Sequence, residues 1–278
     1  METKVIKQDG WRLFARTVIG RAYPRVVGTL RDLNWLFFDV FFPLVNMIGY
    51  VLTYQALKAP QEYVGFVVLG GAMSAFWFNV LWSMSTQLYW EKETGNLSLY
   101  IVSPTSMMAI LLGMALGGML STALRAVVIL GIGTWLFHVQ YAVTSFWVLF
   151  AVFMLMIIAL YGMGMMTASL FLLFNREGWH IANLFEPPVM LFSGFYFPVK
   201  TFGFWPGVAA SIIPLTMGMD AMRQLAFPSG EATGLLPVRT EIIVLVGLCV
   251  FYLLAARWFL AYMEKLAIRQ GKISDRLS

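Results

Sequence analysis

The amino-acid sequence predicts an all-α integral membrane protein. Of its 278 residues, 60% are hydrophobic and only 12% are charged, about half the charged fraction of a typical soluble domain. The apolar stretches are long enough for membrane-spanning helices and too long for the strands of a membrane barrel. Seven of the 19 Lys and Arg residues precede the first apolar stretch. That position is typical of a cytosolic membrane flank, so no nucleic-acid partner is expected.

The N-terminal segment, residues 1–33, is predicted to form an amphipathic interfacial helix on the cytosolic leaflet. Apolar side chains such as Trp11 and Phe14 alternate with arginines near helical spacing, a pattern typical of helices that lie on a membrane. Pro24 is a helix breaker. It leaves open the alternative of a basic flank without a defined helix.

Six membrane spans are predicted, at residues 34–57, 63–89, 107–137, 145–174, 181–199 and 241–263. Asp39 and Arg125 are two of the charges inside these spans, and an unpaired charge in a bilayer is costly. Asp39 is either functional or paired near the cytosolic interface with Arg31 or another arginine. Because it lies about 8 Å of helix rise inside the first span, we favour the pairing. Arg125 lies within the third span, where we expect a partner or a water-filled cavity.

The predicted fifth span contains an acid, Glu186, followed by Pro187 and Pro188. Proline favours the first turn of a helix, where free N–H groups stabilise a carboxylate. We therefore interpret Glu186 as a carboxyl near the start of a helix at Pro187. A proton-relay role is the alternative.

The stretch between the fifth and sixth spans is apolar but cannot be one straight spanning helix, because Pro198, Pro206 and Pro214 divide it into short pieces. If it crossed the membrane, the two basic ends of the chain would lie on opposite sides. Six spans keep both ends in the cytosol, as the positive-inside rule prefers. We therefore predict a re-entrant, external hairpin at residues 200–227 and a cytosolic tail at residues 264–278, all within a single transmembrane domain.

Motifs for several other chemistries are absent from the sequence. There is no GxxxxGK[ST] loop for nucleotide and no HExxH, CxxC or paired-His spacing for a metal ion. Ser193 lacks the GxSxG context of a nucleophilic serine. The single cysteine, Cys249, lies in an apolar run and predicts a buried thiol. An ion- or proton-coupled secondary transporter and an intramembrane enzyme or scaffold stay open as alternatives.

The most polar internal segment joins the second and third spans. A charged turn at residues 91–94 is followed by Gly95, by spaced leucines, and by Ser103 and Pro104, which restart a helix. A short helix that docks on another protein has this pattern, and so does a solvated loop.

Two motifs resemble the ABC-2 type exporter permeases, the membrane subunits that pair with separate ATP-binding cassette subunits. The segment EKETGNLSLYIVSP, residues 91–104, is similar to the first cytosolic loop of that family. The segments SGFYFPV, residues 193–199, and PLTMGMDAMR, residues 214–223, are similar to its Ser-Gly, Phe-Pro, Pro-Leu-Thr and Asp-x-x-Arg succession. The six-span layout with both ends in the cytosol also fits the family.

The resemblance implies a homodimer in the cytoplasmic (inner) membrane that works with two ATPase subunits. Those subunits bind ATP and Mg²⁺, so this chain is expected to hold no cofactor or metal and to be non-catalytic by itself. The implied coupling helix to the ATPase comprises Glu91, Lys92, Glu93, Gly95, Leu97, Ser103 and Pro104. The implied translocation pathway comprises Phe76, Phe78, Asn79, Trp82, Met190, Phe192 and Phe195. The implied external cap comprises Ser193, Gly194, Phe197, Pro198, Pro214, Asp220 and Arg223.

Two further expectations concern the pathway and the cap. A surface of aromatic rings and methionines suits an amphipathic, lipid-like or sugar-bearing substrate. Asp220 and Arg223 have the spacing of neighbours on one helix face, so we expect them to pair at the external interface.

Overall fold

The computed structural model describes residues 10–171, 177–228 and 230–269. Within these ranges the chain is helical and contains no strand. Several predicted features extend beyond them. Residues 1–9 of the predicted interfacial helix, residues 172–176 at the end of the fourth span and the start of the next loop, and residues 270–278 of the tail lie outside the described residues.

The helices follow one another through the whole described chain. In order they are α1 (Gly10–Arg31), α2 (Leu33–Ala56), α3 (Gln61–Phe78), a π-helix (Asn79–Met84), α4 (Gln87–Glu93), α5 (Asn96–Val102), α6 (Met107–Phe137), α7 (Phe146–Phe171), α8 (Glu177–Phe192), a 3₁₀ turn (Val199–Phe202), α9 (Phe204–Ala210), α10 (Pro214–Ala226), α11 (Gly230–Thr233) and α12 (Val238–Arg269).

Five helical segments of the described residues are long and apolar enough to cross a membrane: Leu33–Ala56, Gln61–Glu93, Met107–Phe137, Phe146–Ser169 and Val238–Tyr262. They confirm the all-α, multi-pass class and correspond to five of the six predicted spans. Helix α8 has 16 residues, about 24 Å, against a hydrocarbon core of about 30 Å. The predicted fifth span at residues 181–199, the orientation and the interfacial location of α1 therefore stay predictions.

Helix α1 is continuous through Pro24, so this flank has a defined helical structure. It packs closely along α6 through two glycines at GxxxG spacing. A Cβ at Gly113 would lie 2.5 Å from the carbonyl oxygen of Val18, and one at Gly117 would lie 2.8 Å from that of Ala22. Small residues at this spacing let two backbones approach closely. Helix α1 therefore runs in the same direction as the first half of α6.

The core of the protein is built around α3, which is buried continuously from Val64 to Trp77. It contacts α2, α6 and α10, while α7 packs against α10 and α12. A helix that is apolar on all sides is typical of such a central position. The π-helix that follows α3 along the chain therefore continues from a buried helix.

The proline-rich stretch is broken into short helices, as the sequence predicts. Pro198 precedes the 3₁₀ turn, Pro206 lies in α9, and Pro214 is the first residue of α10. Helix α9 lies against α8 and the 3₁₀ turn, whereas α10 packs against α7 and α12. The two arms of the predicted hairpin thus have different partners, and its external orientation stays a prediction.

Candidate functional site

Two of the charges that the sequence places inside spans, Asp39 and Arg125, pair with each other. Arg125 Nη1 donates to Asp39 Oδ2, and Arg125 Nη2 donates to Thr122 Oγ1 at 2.9 Å. The expectations that Asp39 pairs with an arginine and that Arg125 has a partner are both confirmed. The partner of Asp39 is Arg125 of α6 rather than Arg31, so the ion pair joins the first and third spans.

This ion pair lies in the wall of a cavity of about 560 Å³. The wall combines aromatic rings with a few polar side chains, as in many small-molecule sites. Three residues of the predicted pathway, Phe78, Asn79 and Trp82, line it. The other lining residues are Thr29, Trp35, Phe38, Asp39, Phe42, Pro43, Asn46, Ala75, Ser83, Arg125 and Glu186.

One wall of the cavity is the π-helix Asn79–Met84. Short π-helical segments often occur at functional sites. Here the segment holds Asn79 beside a glycine of α6, since a Cβ at Gly118 would lie 2.8 Å from Asn79 Oδ1. The hydroxyl of Tyr161 donates to the same oxygen at 2.9 Å. Long-range contacts therefore fix this side chain, and no local sequence signal predicts the π-helix.

Glu186 enters the cavity from α8, and the indole N–H of Trp82 donates to its Oε2 at 2.9 Å. The interpretation of Glu186 as a carboxyl at a helix start is wrong. Helix α8 begins at Glu177 and contains both Pro187 and Pro188 in its interior. Glu186 instead contacts Trp82 of the second span, at the wall of the candidate site.

The remaining predicted pathway residues lie away from this cavity. Phe76 and Phe195 are fully buried in the core. Phe192 is 40% exposed, with its ring 5.4 Å from that of Phe202, and Met190 is half-buried. The structure therefore brings three of the seven predicted pathway residues together and adds Asp39, Arg125 and Glu186. The sequence signal for these three residues was a charged side chain inside a predicted apolar span.

A chain of hydrogen bonds connects the cavity with the predicted coupling segment. Arg25 of α1 donates to Ser83 Oγ in the cavity wall and to Gln87 Oε1 in α4. Gln87 Nε2 in turn donates to Glu91 Oε1 at 3.0 Å. Burial lowers the pKa of Arg25, while electrostatic interaction with Tyr161 and Glu91 raises it by a smaller amount. No local sequence signal identifies Arg25 as part of the site, because its partners lie 58 and 62 residues away.

The predicted coupling segment consists of two short helices separated by a glycine. Gly95 adopts a left-handed conformation with φ of 80° between α4 and α5, a conformation that favours glycine. Lys92 and Glu93 end α4, while Ser103 follows α5 in extended conformation before Pro104. The carboxylate of Glu91 also accepts from the Tyr100 hydroxyl at 2.7 Å. Glu91 therefore connects α4 with α5 within the segment.

The apolar side chains of this segment divide into a buried and an exposed set. Leu97 is 4% exposed and belongs to the core, whereas Leu99 is 66% exposed and Trp90 is 50% exposed. Two large apolar side chains, Trp90 near the end of α4 and Leu99 in α5, are thus exposed in this segment.

Arg223 organises the predicted cap from a buried position, with 1% exposure. Its guanidinium donates to the carbonyl oxygens of Phe195 at 2.9 Å, Phe66 at 3.1 Å and Phe197 at 3.3 Å. Burial lowers the pKa of Arg223 to about 10, opposed by Asp220. The side chain is therefore charged at neutral pH, and it joins α10 to both α3 and the SGFYFPV turn.

The SGFYFPV turn fits against α3 because of two glycines. Gly194 has φ of 79°, a conformation that glycine adopts without strain. A Cβ at Gly70 of α3 would lie 1.7 Å from the carbonyl oxygen of Phe195, so no larger residue fits there. Within the same turn Ser193 and Pro198 are buried, and Phe197 meets Tyr50 edge to face at 5.7 Å.

Asp220 contacts a different part of the chain from Arg223. Its Oδ2 accepts from the backbone N–H of Leu235 at 2.7 Å, which ties α10 to the loop before α12. Both side chains are buried and described, and no direct ion pair joins them. The expected pairing at an external interface is therefore wrong, because burial provides each side chain with backbone partners instead.

Comparison with known proteins gives one family and two curated relatives. Residues 25–227 match the family described as ABC-2 type transporter. The relatives are the probable multidrug ABC transporter permease YbhR of Escherichia coli strain K12 and that of Escherichia coli O157:H7. Each is 25% identical over 135 residues, which are 49% of this chain and 36% of the relative. The match therefore spans about a third of each relative's length.

Proposed function

Because the chain belongs to the ABC-2 type transporter family, we propose that it is the membrane-spanning permease subunit of an ATP-driven exporter. Two copies would form the translocation pathway in the cytoplasmic membrane together with two separate ATPase subunits. Those subunits would bind ATP and Mg²⁺ and supply the hydrolysis. The cargo would be an amphipathic, lipid-like or sugar-bearing small molecule.

The observation that carries this proposal is the family match across residues 25–227. The segment α4–α5 supports it, since Leu99 and Trp90 are exposed where an ATPase subunit would dock. Exposed apolar side chains on a short, defined element are typical of a protein interface. The family resemblance assigns the docking role to this same segment.

The mechanism proposed for coupling uses the hydrogen-bond chain through Arg25. ATP-driven closure of the ATPase subunits would displace α4, to which Arg25 is bound through Gln87. The same guanidinium holds Ser83 in the cavity wall, so displacement of α4 would move the π-helix. The pathway would then be a two-state element whose equilibrium ATP biases.

The test is purification of the tagged chain from its native membrane. We expect an ATPase subunit with a GxxxxGK[ST] loop to co-purify, with ATP hydrolysis in the eluate. Leu99→Asp should remove that subunit while the chain stays inserted. Leu57→Asp is the matched control, because Leu57 is 72% exposed on a different loop and should leave the complex intact.

Two results would contradict these assignments separately. A chain that purifies intact without any ATPase subunit would refute the proposed function. A Leu99→Asp chain that retains the subunit would refute the docking role of α4–α5 and leave the exporter assignment standing.

A further inference from the structure

Among the residues that line the 560 Å³ cavity, there are two carboxylates and one cationic side chain. Asp39 and Arg125 form an ion pair and together contribute no net charge. Glu186 accepts a hydrogen bond from the Trp82 indole, and among the described residues no cationic side chain forms an ion pair with it. The lining residues thus have a formal charge of −1, provided by Glu186. The Arg25 guanidinium, which donates to Ser83 Oγ in the wall, is a neighbouring cation but is not among the lining residues.

Aromatic rings surround this charge. Trp35, Phe38, Phe42 and Phe78 line the cavity together with Trp82. The faces of such rings attract cations, and their area favours flat or ring-bearing molecules. A carboxylate in an apolar setting is costly unless a cation or a proton neutralises it. The lining therefore suits an apolar cation and disfavours an anion of the same shape.

Access to the cavity is open on the α2 side. Trp35 is 68% exposed, Phe42 is 59% exposed and Phe38 is 43% exposed. These exposed rings lie on α2 in the same cavity lining as Asp39 and Glu186, and the rings of Phe38 and Phe42 stack at 5.7 Å. A lipophilic cation dissolved in the bilayer can reach these rings without crossing water.

We propose that this cavity is a binding site for lipophilic organic cations that bear aromatic rings, with Glu186 as the residue that determines charge specificity. This rests on the proposed function, of which it specifies the cargo class. The Asp39–Arg125 pair closes one wall as a neutral element. The volume of about 560 Å³ is within the range of sites for drug-sized molecules.

The experiment compares two ions of the same shape and opposite charge, tetraphenylphosphonium and tetraphenylborate, on the purified permease without ATPase or nucleotide. Equilibrium dialysis in one detergent measures both. We expect saturable binding of tetraphenylphosphonium, at least tenfold weaker after Glu186→Gln. Glu186→Asp keeps the charge and should restore most of the affinity. Tetraphenylborate should bind the parent chain at least tenfold more weakly than tetraphenylphosphonium.

Several outcomes would overturn the site. Equal binding of the two ions would do so, as would an unchanged tetraphenylphosphonium affinity in Glu186→Gln. If Glu186→Gln does not fold, Phe42→Leu at an exposed ring provides the test, with an expected severalfold loss and refutation by no loss. Because no ATPase is present, failure here leaves the co-purification test of the exporter unaffected.

Discussion

The substitution Arg223→Met tests whether one buried guanidinium holds the cap in place. Methionine keeps the length and apolar stem of the side chain but removes every donor. The carbonyl oxygens of Phe195 and Phe197 in the SGFYFPV turn would lose the guanidinium bonds of 2.9 and 3.3 Å. The carbonyl of Phe66 belongs to helix α3. Loss of its bond to the guanidinium is therefore expected to reduce stability less.

The expected loss of stability in Arg223→Met follows from the two turn carbonyls that lose their hydrogen-bond donor. Leaving a buried polar group without its partner costs about 1–3 kcal/mol, so the variant should lose about 2–6 kcal/mol of stability. For a chain of this size, about 2–4 °C of melting temperature corresponds to each kcal/mol. We therefore expect the midpoint to fall by about 10 °C. The melting temperature of Arg223→Lys should lie between those of the parent chain and Arg223→Met, because one ammonium cannot reproduce the planar fork of donors.

The protein contains its own reporter for this measurement. Cys249 is its single cysteine and is 7% exposed, and its thiol donates to the Leu155 carbonyl at 3.0 Å. This confirms the expectation of a buried thiol. A maleimide dye that fluoresces on reaction will label Cys249 only as the helices around it separate. Its signal during heating therefore reports unfolding of the detergent-solubilised chain.

The matched control is Arg239→Met, which removes an exposed arginine at the start of α12. Surface substitutions change stability by about 0.5 kcal/mol or less, so this variant should melt within about 2 °C of the parent chain. If Arg223→Met also melts within about 2 °C of the parent, the role assigned to Arg223 is refuted.

Two further predictions concern the ion pair and the topology. Asp39→Asn and Arg125→Gln should each destabilise the protein, because removal of one partner leaves the other charge unpaired. The loss should be smaller than the roughly 3–5 kcal/mol of a fully buried pair, since the Asp39 side chain is 38% exposed. The double variant should recover part of this loss in the Cys249 melting assay, and additive losses would show that the pair contributes no coupling. A cysteine at Phe204, which is 55% exposed, should react in a Cys249→Ala background with a membrane-impermeant maleimide on intact cells. Reaction only after permeabilisation would place the hairpin on the cytosolic side.

The sequence alone determined the class of the protein and, to within one residue, the bounds of its first and third spans. The third span was predicted at residues 107–137, and α6 has those same bounds. The first span differs by one residue at each end, since α2 is Leu33–Ala56. This agreement has a physical cause. Backbone polar groups in a bilayer must be satisfied within the same segment, so a long apolar run is sufficient to specify a spanning helix.

Single charges in apolar runs were also visible in the sequence as features that need partners. The cost of an unpaired charge predicts that Asp39 and Arg125 are each neutralised. It does not predict which residues neutralise them, because the two lie 86 positions apart. Their pairing depends on how α2 packs against α6. The error at Glu186 has a related cause, since local proline preferences indicated a helix start where α8 continues.

Only the tertiary structure decided where the candidate site lies and how the cap is held. Asp220 and Arg223 have the spacing of a helical ion pair, yet burial directs Arg223 to three backbone carbonyls and Asp220 to the N–H of Leu235. The cavity likewise arises where α2, the π-helix and α8 meet. Hydropathy is a property of each segment by itself, whereas these contacts depend on the distances between segments that are far apart in the chain.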